Sequence, residues 1–217
     1  MSDENTLRLM KASKRLYLGP HTSSAFSLDP KHLVFTLSRY KFVAKMLSGR
    51  ESALEVGCGD GFGAAIVAQE VQRLVGIDNE PYAIENNENV GLSEEIVVHD
   101  ILSSPYPEKF EAVYSLDVIE HISLEEEHLF FSNIVSSTKE NGVLMIGTPN
   151  MSASSYASEG SRVGHINLKS FSSLKESLSR YYRNVFMFGM NDEVLHTGFG
   201  SMCHYLIALA VQPINCD

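Results

Sequence analysis

The chain has 217 residues, 44% of them hydrophobic, enough to bury a full core in one domain of average to large size. Seventeen basic residues against 27 acidic ones give a formal charge of -10, and no lysine- or arginine-rich stripe is present to neutralise a run of phosphates, which argues against a general nucleic-acid binder. Cys58, Cys203 and Cys216 are widely spaced and odd in number, fitting neither a zinc motif nor a disulfide framework, while no apolar run approaches bilayer-spanning length and Met1 to Leu16 lacks a leader's apolar core; the expectation is an unprocessed protein of the reducing cytoplasm.

Strand and helix patterns alternate after residue 50. Leu33, Leu37, Tyr40, Val43, Ala44 and Leu47 recur at spacings of three and four, which predicts an amphipathic helix ending at Gly49. Ala53 to Val56 reads as a first strand, 63 to 71 as a helix, Leu74 to Ile77 as a second strand, and Pro81 to Asn89 as a second helix with proline in its favoured first turn. Ile96 to Val98, Ala112 to Leu116 and Val143 to Gly147 are three further strands, the last two separated by a helix from Leu124 to Thr138. Asn150 to Gly164 is serine-, glycine- and alanine-rich and reads as a long functional or mobile loop. Ser170 is placed to cap a helix running to Leu178, and Val185 to Phe188 with Tyr205 to Val211 complete a seven-stranded, mostly parallel α/β sheet, doubly wound, with a C-terminal antiparallel hairpin.

The segment Ala53-Leu54-Glu55-Val56-Gly57-Cys58-Gly59-Asp60-Gly61-Phe62-Gly63 joins a buried strand to a glycine-dense turn and a helix, the arrangement that lets backbone N–H groups approach a bound nucleotide. Two registers fit: G-x-G-x-G from Gly57, or the dinucleotide pattern G-x-G-x-x-A from Gly59 to Ala64. Glu55 favours the first, because a carboxylate there repels a pyrophosphate and suits a cofactor with a positive end. Cys58, inside the turn, reads as a small packing residue rather than a nucleophile.

The chain resembles the class I S-adenosylmethionine-dependent methyltransferases. ALEVGCGDGFG is similar to that family's first motif, which implies cofactor contacts at Glu55, Gly57, Gly59 and Gly61. GIDNEPYAIENN is similar to the second, in which an acid grips the ribose hydroxyls; Asp78 takes that place, with Asn79 beside it. VVHDIL resembles the third-strand motif that meets the adenine edge, matching Asp100 and Ile101, and AVYSLDVIEHI resembles the fourth, putting Leu116 and Asp117 near the sulfonium and methionyl part. The matches cover about 53 to 150. The cofactor implied is S-adenosyl-L-methionine, with S-adenosyl-L-homocysteine as product.

The flanks, Arg39-Tyr40-Lys41-Phe42-Val43 and Thr148-Pro149-Asn150 with Gly164-His165-Ile166-Asn167-Leu168, resemble small O-methyltransferases associated with bacterial surface-glycan biosynthesis, and more weakly ubiquinone-type enzymes. The resemblance implies a hydroxyl acceptor on a small molecule, sugar or glycan precursor. Arg39 is a candidate for binding the cofactor's carboxylate or an anionic acceptor. Alkylating an alcohol makes its proton strongly acidic, so a base is needed, and His121 and His165 are the histidines expected at the cofactor end of the sheet. Ile166 and Leu168 are expected to anchor the chain around His165. Asp117, Glu120 and His121 form a cluster with metal-ligand chemistry, but a base explains the same residues and no metal is assigned.

The expected division is a single domain: an N-terminal helical lid (1–50), a cofactor half (51–149) and an acceptor half (150–217). Tyr17, His21 and 23–26 are candidates for the lid or for a homodimer contact. Two other readings stay open at this point, a catalytically inactive S-adenosylmethionine-binding regulatory subunit and an NAD-dependent oxidoreductase using the second glycine register.

Overall fold

The computed structural model describes residues 8, 10–11, 18–85, 95–157 and 159–214. Helices α1 (Pro20–Leu28) and α2 (Pro30–Leu47) lead into strand β1 (Ser52–Val56), followed by α3 (Ala64–Ala68), β2 (Arg73–Asp78), α4 (Pro81–Glu85), β3 (Glu95–Val98) and β4 (Phe110–Leu116). Then come α5 (Glu127–Ser136), β5 (Thr138–Pro149), α6 (Glu159–Gly164), α7 (Phe171–Ser179), β6 (Tyr182–Asn191), β7 (Val194–His196) and β8 (Tyr205–Pro213). Short 3-10 turns occupy Ile119–His121, Met151–Tyr156 and Gly200–Met202.

One sheet has the order β3-β2-β1-β4-β5-β8-β6-β7. Its first five strands pair in parallel, and β8 pairs antiparallel with both β5 and β6. The α/β class, parallel half and antiparallel end are those expected, but the sheet has eight strands among the described residues rather than seven. The extra one is the three-residue β7, paired through Asn191 and Val194, which is too short to produce a periodic signal.

Alternate residues of the central strands feed two cores. Leu54, Val56, Val113, Leu144 and Ile146 join Phe130, Phe131 and Ile134 of α5 on one face. Ala53, Ala112, Tyr114, Val143 and Met145 join Tyr40, Val43, Ala44 and Leu47 of α2 on the other. Burial on both faces explains the unbroken apolar strands. Helix α2 begins where the Asp29 carboxylate accepts from the Lys31 amide and Pro30 fills the first turn, and its chain turns away at Gly49, whose φ is 83°.

Two expected elements differ clearly. The helix after the glycine turn is only Ala64–Ala68, ending before Gln69 rather than at residue 71. The predicted loop over 150–164 holds a 3-10 turn and α6, short pieces whose exposed residues have no apolar periodicity to signal them. In the helix expected from Pro81, residues 86–89 lie outside the described residues, as does Tyr17.

Candidate active site

The β1 strand lies between β2 and β4, so the crossovers leave it in opposite directions and open a crevice at the carboxyl ends of β1 and β4. A cavity of about 780 Å³ sits there. This is the size of a cofactor or drug-sized ligand. The apolar stripe of α2 serves twice: its C-terminal part, Val43, Ala44 and Leu47, packs on the sheet, while Leu33 and Leu37 line the cavity.

The glycine turn forms one wall. Gly57, Gly59 and Gly61 have φ of 80°, 55° and 72°, so positive φ alternates in the register that starts at Gly57. A side chain at Gly57 would put a Cβ 2.2 Å from the Cγ2 atom of Val118. Gly57 and Gly59 line the cavity. The Asp78 carboxylate ties β2 to the turn, accepting from the Gly59 amide at 2.8 Å and from the Glu80 amide at 2.9 Å. Each of its oxygens retains acceptor capacity, as a ribose diol requires. Asp100 is exposed and accepts from the Leu102 amide, and the buried Ile101 receives the Asn133 side-chain amide on its carbonyl. Asp78, Asn79, Asp100 and Ile101 stand at the ends of β2 and β3 and are not among the cavity-lining residues.

Glu55 is placed differently from the expectation. It is fully buried beneath the turn, where its two oxygens accept from the Tyr40 hydroxyl at 2.7 Å and the Tyr114 hydroxyl at 2.9 Å. Its side chain points with Ala53 toward the α2 face, so it supports the turn from below and does not line the cavity. Burial, with Glu55 beside them, pushes both phenols well above their usual range. Burial also pushes the Cys58 thiol up, which fits packing and not nucleophilic chemistry.

Asp60 went unassigned in the sequence. Only 4% exposed, it accepts from the Thr22 amide and hydroxyl, thereby capping α1 from across the cleft. Its presence inside the glycine motif was the available signal. Its partner, in a segment without motif, left none.

At the opposite wall, Leu116 ends β4 and Asp117 adopts φ 58°, a left-handed conformation for a residue with a side chain. Such strain costs on the order of 1–3 kcal/mol and persists only where the surroundings enforce it. Here the Asp117 amide donates to the Gly147 carbonyl, and its carboxylate meets Arg39 Nη1 at 2.7 Å. The Arg39 guanidinium also lies 3.8 Å over the Tyr205 ring. Burial opposes the Arg39 charge, but Asp117, Tyr205 and Glu120 together outweigh it and raise the pKa above its ordinary value. Arg39 lines the cavity, with its guanidinium engaged by Asp117.

Beyond Asp117, the 3-10 turn carries Glu120 and His121, and the end of α6 delivers His165. The imidazole rings of His121 and His165 stand 5.0 Å apart, edge to face. His121 Nδ1 lies 3.0 Å from the Gly164 carbonyl, which can only accept, so that nitrogen carries the proton. Burial and the neighbouring His121 hold the His165 pKa below its ordinary value. Burial, helped by Asp117, pushes the Glu120 carboxyl up to about 8. His165 is not anchored by Ile166, which is 63% exposed, but by buried polar neighbours. Asn167 donates its amide to the Glu120 carbonyl and its side chain to Glu127, which also pairs with Lys169 and accepts from Ser177 at 2.6 Å.

Among the described residues no helix is long and apolar enough to cross a membrane. Residues 54–146 match the family described as the methyltransferase domain. A probable S-adenosylmethionine-dependent methyltransferase of Mycolicibacterium smegmatis is 29% identical over 112 residues, and one of Mycobacterium tuberculosis 28% over 116. These matches cover 51% and 52% of this chain and 42% of each relative's length. Among solved structures, the N-methyltransferase NodS of Bradyrhizobium japonicum in complex with S-adenosyl-L-homocysteine superposes with a TM-score of 0.58 at 19% identity, covering 97% of this chain and 98% of that one. A TehB-like methyltransferase of Corynebacterium glutamicum gives 0.64 at 16%, covering 89% and 99%. The strand order and the glycine turn after β1 give the chain the Rossmann-like methyltransferase fold, and residues 54–146 within it are similar to the methyltransferase domain.

Proposed function

We propose that the chain transfers a methyl group from S-adenosylmethionine to a hydroxyl of a small polar acceptor, a sugar unit or glycan precursor being the class favoured by the segments around Arg39 and His165. The observation that carries this reading is that one cavity has the Gly57 and Gly59 turn on one wall and Asp117, Glu120, His121 and His165 on the other. Such a cavity holds a donor and an acceptor side by side.

When bound, S-adenosylmethionine supplies a methyl carbon already activated by its sulfonium. The remaining work belongs to the chain. The side-chain-free surface of the glycine turn and the Asp78 carboxylate receive the nucleoside end, Asp100 and Ile101 border the base, and Leu116 and Asp117 face the methionyl end. Asp117 presents negative charge toward a cation, and Arg39 keeps that carboxylate in place from behind. Helix α1 acts as a lid over the cleft, and Asn150, Tyr156, His165 and Leu168 shape the acceptor side. His165, whose lowered pKa keeps it neutral at physiological pH, accepts the hydroxyl proton with His121 beside it. General-base assistance of this kind contributes about 10² to 10⁴ in rate. Alignment of the two reactants and exclusion of water supply the rest.

Isothermal calorimetry with S-adenosylhomocysteine tests the reading. Binding by the native chain and its loss in Asp78→Ala are expected, followed by methyl transfer to at least one member of a hydroxylated acceptor panel. A native chain that binds no S-adenosylhomocysteine ends the proposal.

A further inference from the structure

Glu120, His121 and His165 each offer one ligand atom to the cavity, and these atoms all lie within 4.8 Å of one another. His165 joins the cluster only through the fold, since α6 and the Gly164 carbonyl carry it back onto the 3-10 turn. A second observation is independent of that proximity. Glu120 has no exposed surface, and its Oε1 finds no hydrogen-bond partner, whereas Oε2 accepts from Thr148 Oγ1 at 3.0 Å. A buried carboxylate oxygen without a donor is expensive, at about 1–3 kcal/mol or more. A cation against Oε1 removes that penalty.

We propose that Glu120, His121 and His165 bind one divalent first-row transition cation. Two imidazoles and a carboxylate disfavour magnesium and calcium, which prefer all-oxygen shells, and suit zinc, iron, cobalt or manganese. The supporting groups are those such a site uses. The His121 Nδ1–H donates to the Gly164 carbonyl and leaves Nε2 with its lone pair outward, and Thr148 fixes the carboxylate. The Asn167 amide holds the Glu120 carbonyl and so locks His165's segment to the turn. Ligand bonds of about 2.1 Å put donor atoms about 3.0–3.5 Å apart, and rotation of the exposed His121 and half-exposed His165 side chains closes the present separation. Three protein ligands leave coordination positions open toward the cavity.

The cation's use on an acceptor rests on the proposed function. Held by Glu120, His121 and His165, the cation would supply Lewis-acid chemistry, easing loss of an acceptor hydroxyl's proton to solvent water as its oxygen bonds to the methyl carbon and the sulfur–carbon bond breaks to leave a neutral thioether. His165 is thus the proton acceptor of the metal-free chain, and with the cation bound that proton passes to solvent instead.

The test is titration of the chelator-treated, untagged protein with Co²⁺, followed by its visible ligand-field absorption, with S-adenosylhomocysteine calorimetry on the same preparations. One saturating equivalent is expected. Glu120→Gln, which keeps shape and the Thr148 bond, and His165→Ala should each weaken it at least about tenfold, while His128→Ala on the exposed face of α5 changes nothing. No saturable binding, or binding that survives both variants, overturns the proposal, the latter meaning surface histidines only. Co²⁺ binding without S-adenosylhomocysteine binding would instead sink the methyl-transfer reading and leave the cation site standing.

Discussion

Asp60 and Thr22 join the glycine turn to the first described helix through two hydrogen bonds, 2.7 Å to the amide and 2.9 Å to the hydroxyl. The amide is one of those left unpaired at the start of α1, so the carboxylate serves as a cap donated by another part of the fold. Removing it leaves α1 attached to the cleft mainly by its contacts with α2. Asp60→Ala is expected to weaken S-adenosylhomocysteine binding about tenfold, the effect of losing about 1.4 kcal/mol of charge-assisted bonding, and to speed proteolysis within residues 20–28. Unchanged affinity and cleavage would mean that α1 takes no part in closing the cleft.

At Gly57 two penalties coincide, a positive φ and a Cβ 2.2 Å from Val118. Gly57→Ala is therefore expected to lower stability by about 2–4 kcal/mol, from overpacking and backbone strain together. Thermal unfolding of Gly57→Ala/Val118→Ala separates the two. Relief of the clash should restore part of the loss, and full restoration would show that φ contributes nothing.

Arg39→Lys tests the support behind Asp117. Lysine keeps the charge but loses the planar group lying over Tyr205 and the geometry of the 2.7 Å contact. We expect a destabilisation of about 1–3 kcal/mol in urea unfolding and a larger KM for the donor, because Asp117 no longer has its enforced conformation. A variant identical to the native chain in both measurements would dismiss the ion pair as incidental.

Glu127 couples the His165 segment to the pH of the medium. Burial alone raises its pKa, but the bonds from Asn167, Lys169 and Ser177 outweigh burial and hold it below the usual carboxylate range. A folded pKa below the unfolded value of about 4.3 stabilises the native state fully above that value and loses its effect as pH falls through the folded pKa. Urea midpoints of the native chain should therefore fall as pH drops below about 4.3, more steeply than those of Glu127→Gln. Parallel pH profiles for the two proteins would remove Glu127 from this role.

The fold was legible wherever periodicity and turn chemistry acted together. The strands from Ala53 to Gly147 and the capped helix after Ser170 appear where their apolar spacing and caps put them. Short elements without an apolar pattern, β7 and α6, left no trace. In the site, residues embedded in a motif were found, and the tertiary partners that make them work were not. Glu55 shows why. Its position in the strand was readable, but which face it took depended on two tyrosines 15 and 59 residues away, Tyr40 and Tyr114. Glu127 and Lys169 were similarly invisible, since an ion pair 42 residues apart has no local signature.

The stretch from Met151 to Gly164 is fastened at both ends. Before it, the Asn150 side chain donates to the Gly200 and Cys203 carbonyls, and after it Asn167 and Lys169 are fixed by Glu120 and Glu127. Between these clamps Ala153, Ser154, Tyr156, Ala157 and Ser161 border the cavity, and the described residues between Met151 and Gly164 belong to no strand of the sheet. On the proposed function, substitutions between Ser152 and Ala157 are expected to redirect acceptor preference while the sheet and the Ser161 and Gly164 carbonyls that hold His165 and His121 keep their places. That makes residues 152–157 the natural place to randomise in a search for new specificities.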